Sequence, residues 1–245
     1  MGEMRSGGPI RWVHTMSGIV NKWCSGNCAG VPPKWEPCPK LTPDFECEYD
    51  VLMREEAEAA ARAAWDALSW RERNFLRVMD RFSLSIIPDG LWDYLRTAGF
   101  FDAPASIHHH GAYPGALYDH SFTVMQALVS LTRRLDLQWQ HPRSPYIVGM
   151  FHDLCKVDNY RHKDGSGEAW EYNNAALLPG HGEKSVILLS QFMTLTEEEM
   201  LCIRWHMGAF DDKEHWNHYG RACEKYPNVL YTHTADMIAA RVLGV

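Results

Sequence analysis

Phe151-His152-Asp153-Leu154-Cys155-Lys156 is the stretch on which the reading of this chain turns. It closes a run, 146–156, that otherwise has the apolar pattern of a buried helix, and it sets an imidazole beside a carboxylate where polar groups are costly to bury. Two metal-binding groups in such a place want a metal. An isolated His-Asp pair is ordinarily a core histidine next to a solvent-facing aspartate, so what decides is whether the rest of the chain supplies partners.

Partners are plentiful. Twelve of the 13 histidines lie after residue 107. His120 opens a helix expected over 119–135, His152 and Asp153 come late in the 146–156 helix, and His181 opens the next, 181–193. His206 closes a helix over 196–207 that starts with a Thr196/Glu199 capping box. Asp236 falls in the middle of a last helix, 227–242, where an unpaired carboxylate facing the core would be expensive. Each successive helix thus contributes one such group.

Upstream, residues 53–65 are rich in helix formers with acid-to-base pairs at helical spacing, and Ser69 with Glu72 caps a following helix whose face is Phe75, Val78, Met79 and Phe82. A short helix, 91–98, should stop at Gly99. Residues 159–174 read as a small hairpin or loop, and His215 and His218 flank Trp216 in a polar loop. Residues 1–50, broken by Pro32, Pro33, Pro37, Pro39 and Pro43, read as an irregular segment, and residues 51–245 as one helical domain. Cys24, Cys28, Cys38 and Cys47 cluster in that first segment and could close a structural zinc site, although neither pair has the C-x2-C spacing of common zinc ribbons. Cys155, Cys202 and Cys223 read as small buried hydrophobes.

Composition narrows the partners. A net charge of -7, with 24 basic and 31 acidic residues mixed along the chain, offers no long track for nucleic acid, whereas a bound cation could still attract a small anionic substrate. No apolar run approaches the roughly 18 residues of a membrane span and no signal-peptide pattern opens the chain, so the expected location is the cytoplasm.

The ordered pattern H…HD…H…H…D resembles the HD-domain metal-dependent phosphohydrolases, and the surrounding words agree. Gly115-Ala-Leu-Tyr-Asp-His120-Ser is similar to the G-G-L-x-x-H-[ST] motif of that superfamily, and Phe151-His-Asp-Leu-Cys-Lys156 to its L-H-D-[IL]-G-K. Gly180-His181-Gly-Glu-Lys-Ser185, Ile203-Arg-Trp-His206-Met-Gly208 and His233-Thr-Ala-Asp236 stand in the places of the remaining ligands, so that the likeness covers about 103–241. The phrases G-H-G-E-K-S and R-W-H-M-G are also similar to a branch of bacterial and phage HD proteins mostly without an assigned substrate. Cys155 and Ala116 replace two glycines of the family pattern, and neither change removes a ligand. Cys155 is read as packing.

The resemblance implies an all-α, HD-domain helical bundle holding one or two divalent transition-metal ions, of iron, manganese, zinc, nickel or cobalt. His120, His152, Asp153 and Asp236 would hold the first, and Asp153, His181 and His206 the second. It implies hydrolysis of a phosphoester, of a nucleotide or short oligonucleotide, by a metal-activated water, with Asp153 central and Lys156 stabilising transition-state charge. His110, Arg161, Lys184 and Arg204 are candidate substrate contacts, with His108 and His109 weaker ones, and His233 is a candidate to support a ligand. Other readings of the same scaffold are a di-iron oxygenase and a non-catalytic nucleotide-binding module. Gly-His-Gly-Glu-Lys-Ser is not a phosphate-binding Walker loop, because Glu183 separates the glycine from the lysine.

Overall fold

The computed structural model describes residues 11–15, 18–22, 48–81, 88, 90–107, 111–163, 170–178 and 180–245. Cys24, Cys28, Cys38, Cys47, Phe82 and His108 to His110 lie outside them. The chain divides into two compact units, Met1–Leu68 and Ser69–Val245.

Among the described residues, the first unit holds two strands and one helix. Strands β1 (Arg11–Thr15) and β2 (Gly18–Lys22) pair antiparallel, Arg11 opposite Lys22 and Thr15 opposite Gly18. The β-formers Trp12, Val13, Thr15, Ile19 and Val20 fall in the gap between Pro9 and Pro32, where nothing breaks a ladder. Helix α1 (Glu48–Ala67) follows. It falls within this unit, and its described side chains are almost all exposed.

The second unit is helical. Helix α2 (Trp70–Arg81) starts with the expected reciprocal cap, the Glu72 N–H donating to Ser69 Oγ at 3.2 Å and the Ser69 N–H to Glu72 Oε2 at 2.7 Å. Helix α3 (Leu91–Thr97) ends before Gly99, whose φ of +80° suits a residue without a Cβ. Helices α4 (Ala116–Leu135) and α5 (Ser144–Phe151) form the centre, and α4 also packs on α9 (Asn228–Met237). Between them come the antiparallel pair β3 (Tyr160–His162) and β4 (Trp170–Tyr172), then α6 (Gly182–Ser190), α7 (Glu197–Arg204) and α8 (Trp216–Lys225). No helix among the described residues is long and apolar enough to cross a membrane.

An aromatic layer fills the space behind α5. Phe75, Phe100, Phe101, Tyr118 and Phe151 are all buried, with neighbouring centroids 5.4 to 6.2 Å apart, mostly edge to face. Gly149 allows the close crossing of α5 and α4: a Cβ there would run into the Met125 backbone. Gly182 does the same for α6, where a Cβ would meet the Arg204 carbonyl at the end of α7.

Three segments depart from expectation. The 146–156 helix breaks after Phe151, and a 3-10 turn, Leu154–Val157, follows the His152-Asp153 corner. The corner leaves both polar side chains buried, His152 completely and Asp153 almost so. The expected polar loop around Trp216 is a 3-10 turn, Lys213–His215, leading into α8. Tyr219, Ala222 and Cys223 pack against the core from that helix at helical spacing, and Tyr226 does so just after its end. The last helix changes to a π-helical turn, Ile238–Leu243, directly after Met237.

Candidate metal centre

The ends of five helices meet at one buried point. His120 comes from the second turn of α4, His152 and Asp153 from the corner after α5, His181 from the residue before α6, His206 from the turn after α7, and Asp236 from the last turn of α9. His120, His152, Asp153, His206 and Asp236 are buried, while the His181 side chain keeps 31 % of its surface and marks the open side.

Two helices use the same local device. The last carbonyls of a helix lack intrahelical partners. At the end of α5 the Gly149 carbonyl accepts from His152 Nδ1 at 2.9 Å, and at the end of α7 the Ile203 carbonyl accepts from His206 Nδ1 at 2.6 Å. In each case a histidine three residues on caps its own helix. His120 Nδ1 donates to the Val245 carbonyl at 3.0 Å, which the π-helical turn and the Val245 N–H to Ala239 carbonyl bond (3.1 Å) bring alongside. Carbonyl oxygens only accept, so all three rings carry their proton on Nδ1 and present Nε2 to the centre.

Around that centre His120 Nε2 lies 3.2 Å from His152 Nε2, 3.4 Å from Asp153 Oδ2 and 3.2 Å from Asp236 Oδ1. His152 Nε2 is 3.5 Å from Asp153 Oδ2 and 3.9 Å from Asp236 Oδ1. The other oxygen of Asp153 faces the second pair, 2.8 Å from His181 Nε2 and 3.3 Å from His206 Nε2. Despite this proximity, Asp153 Oδ1 and His206 Nε2 are buried without a hydrogen-bond partner among the described residues. An orphaned acceptor beside an orphaned ring nitrogen is expensive unless a cation completes both. The donor set therefore fits a metal, and the trios His120/His152/Asp153 and His152/His206/Asp236 are each close enough to share one.

The electrostatics agree. Burial disfavours the charged form of Asp153, but Lys156, His152 and His181 outweigh it and hold the carboxyl well below its ordinary range. Asp236 is likewise pulled down to about 2, against burial, by His120 and the neighbouring imidazoles. Burial opposes a charged His120, yet Asp153 and Asp236 raise it to about 9, whereas burial lowers His152. In the absence of a metal, a proton on His120 stands between the carboxylates in the metal's stead.

Lys156 is largely buried, with Nζ 2.7 Å from Asp153 Oδ2, so it belongs to the cluster and not to the solvated surface. His233 Nδ1 donates to the His206 carbonyl at 2.7 Å and so braces the turn that carries that histidine. The three proposed basic contacts have other engagements. Arg161 is exposed on β3 and pairs across the ladder with Glu171 at 2.8 Å. Lys184 is fully buried against Asp158 and Asn159, joining α6 to the segment after the 3-10 turn. Arg204 bonds Glu183 and Asp211 and lies 3.9 Å over the Trp205 ring. Cys155, read from sequence as packing, also touches the site, its Sγ 3.5 Å from His181 Nδ1. Its place two residues after Asp153 was the only signal of that contact.

Fold and site together define a mostly helical protein whose second unit encloses a histidine-aspartate group able to hold a metal ion. Comparison with family profiles, with curated proteins and with solved structures returns no match.

Proposed function

We propose that the chain is an HD-type metal-dependent phosphohydrolase that cleaves a small phosphoester, a nucleotide or short oligonucleotide. The observation that carries this reading is the inward-facing set of Nε2 atoms arranged on both oxygens of Asp153, with Asp153 Oδ1 and His206 Nε2 lacking a hydrogen-bond partner among the described residues. His120, His152, Asp153 and Asp236 would hold one ion, and Asp153, His181 and His206 a second. Imidazole with carboxylate suits iron, manganese, zinc, nickel or cobalt better than magnesium or calcium. Ions bound there supply Lewis acidity and a water acidified towards hydroxide at neutral pH.

The protein's own groups do the rest. Asp153 presents one oxygen to each set of histidines, which fixes the spacing of the two positions. The backbone carbonyls of Gly149, Ile203 and Val245 lock three imidazoles in the tautomer that keeps Nε2 free to bind. Lys156 lies at the rim of the cluster with its charge already set against Asp153, where it can face negative charge growing on a phosphoryl oxygen. Burial of the ligands keeps bulk water from competing, and the exposed edge of His181 is the side from which an anion can approach.

The test is turnover. The metal-loaded protein is incubated with nucleoside mono-, di- and triphosphates and with cyclic and linear dinucleotides, with and without oxygen. Phosphate or nucleoside monophosphate should appear irrespective of oxygen and disappear in Asp153→Asn. Oxygen-dependent turnover without phosphoester cleavage, or tight binding of one nucleotide with no cleavage, would overturn the reading.

A further inference from the structure

Three of the four site histidines are oriented by main-chain carbonyls; the fourth is not. His181 precedes α6, its side chain is the most exposed of the four, and its Nδ1 faces the Cys155 thiol at 3.5 Å. That thiol is itself fixed. The Cys155 side chain is fully buried, its backbone N–H donates to Ser185 Oγ at 3.0 Å, and the Ser185 N–H returns to the His181 carbonyl at 3.2 Å. The 3-10 turn after Asp153 and the first turn of α6 are thereby closed into one hydrogen-bonded loop, which sets the thiol beside the His181 ring and within 4.8 Å of an Asp153 carboxylate oxygen.

We infer that Cys155 is a positioning residue for His181: its sulfur accepts the Nδ1 proton, as the carbonyls do for the other three histidines, and so keeps His181 Nε2 aimed at Asp153 Oδ1. The consequence falls on one metal position only. Sulfur is a weaker and more polarisable acceptor than a carbonyl oxygen, so the second position, formed by Asp153, His181 and His206, has the softer support. The first position, built on His120, His152, Asp153 and Asp236, shares Asp153 with the second but not His181, the residue that Cys155 orients. The chain would therefore bind its two ions with separate affinities, and residue 155 sets the gap between them. An aliphatic residue could fill the volume, but it would leave the Nδ1–H without an acceptor.

This rests on the metal reading above, and the experiment separates the two. Metal-free wild type, Cys155→Ala and Cys155→Ser are titrated with cobalt(II), following heat and the visible ligand-field bands. The His181 ring nitrogens are followed by nitrogen-15 NMR in the metal-free proteins. Two ions should bind to wild type. Cys155→Ala should weaken the second by about ten- to a hundredfold, the cost of losing an outer partner of a ligand, and leave the first unchanged. Cys155→Ser should restore part of the loss, since a hydroxyl oxygen can accept from Nδ1, and the single Nδ1-protonated form of His181 should give way to mixed tautomers only in the alanine variant. Unchanged affinity at both positions, or equal weakening at both as general damage would give, overturns the inference. If wild type takes up no cobalt, the metal reading fails. His181 ring signals identical in wild type and Cys155→Ala would in that case overturn the positioning role independently.

Discussion

Asp153 connects the site's charges at the scale of a single side chain, since one oxygen meets His120, His152 and Lys156 and the other meets His181 and His206. Asp153→Asn should accordingly lower the affinity for both ions by more than the about ten- to hundredfold that loss of an outer partner costs, while Asp236→Asn should affect only the position shared with His120 and His152. Metal content after dialysis reads the difference, and loss of a single ion in Asp153→Asn would contradict the shared role. Without metal the same substitution leaves the Lys156 ammonium facing an amide in a largely buried place, a loss of about 3 kcal/mol or more, visible as a lower denaturation midpoint. His120 gives a pH dependence. Its pKa rises from 6.5 to about 9 on folding of the metal-free protein, so its stabilising effect is full below 6.5 and is lost as pH climbs through 9. A metal must displace that proton, so cobalt affinity should rise over the same interval in which the melting temperature of the metal-free protein falls. A flat cobalt affinity across that range would show that His120 is not a ligand.

At the scale of elements, the crossing of α4 and α5 ties stability to ligand placement, because Gly149 both touches the Met125 backbone and supplies the carbonyl that orients His152. Gly149→Ala should cost about 1–3 kcal/mol from overpacking and weaken metal binding in the same protein. Thr196→Ala, which removes the cap of α7, should cost about 1 kcal/mol with metal affinity nearly unchanged. If both variants lose stability and metal binding in the same proportion, the crossing has no special part in the site. The Thr196/Glu199 box, the Ser69/Glu72 box and the Gly99 stop were all legible as local chemistry, since each depends on residues three or four apart. The break after Phe151 was not, because Asp153 leaves the helical conformation at the place where it meets His120, His181 and His206, groups far along the chain. Helix α8 was passed over because Lys213, Glu214, His215 and Asn217 gave its start a polar look, although the spacing of Tyr219, Ala222, Cys223 and Tyr226 carries the helical period.

For the whole molecule, every residue of the candidate metal centre lies in the unit Ser69–Val245. That segment expressed alone should keep helical content and take up the same number of ions as the full chain, measured by elemental analysis after dialysis; a fragment that folds but binds fewer would assign a ligand to residues before 69. The ordered run of His120, His152-Asp153, His181, His206 and Asp236 made the group visible in sequence through its resemblance to the H…HD…H…H…D pattern, since residues on five separate helices give no local sign that they converge. The supports of those ligands were hidden, since the carbonyls of Gly149, Ile203 and Val245 and the Cys155 sulfur depend on where backbones end up. The Val245 contact has a kinetic meaning. His120 and the carbonyl that orients it are 125 residues apart, so one of the longest loops in the chain must close before that imidazole is set. On a ribosome, a chain halted after α5 carries His120, His152 and Asp153 with His120 still free to rotate. On the reading proposed above, tight metal capture would wait until Val245 has packed against His120, later than the synthesis of any side chain that would hold the ion.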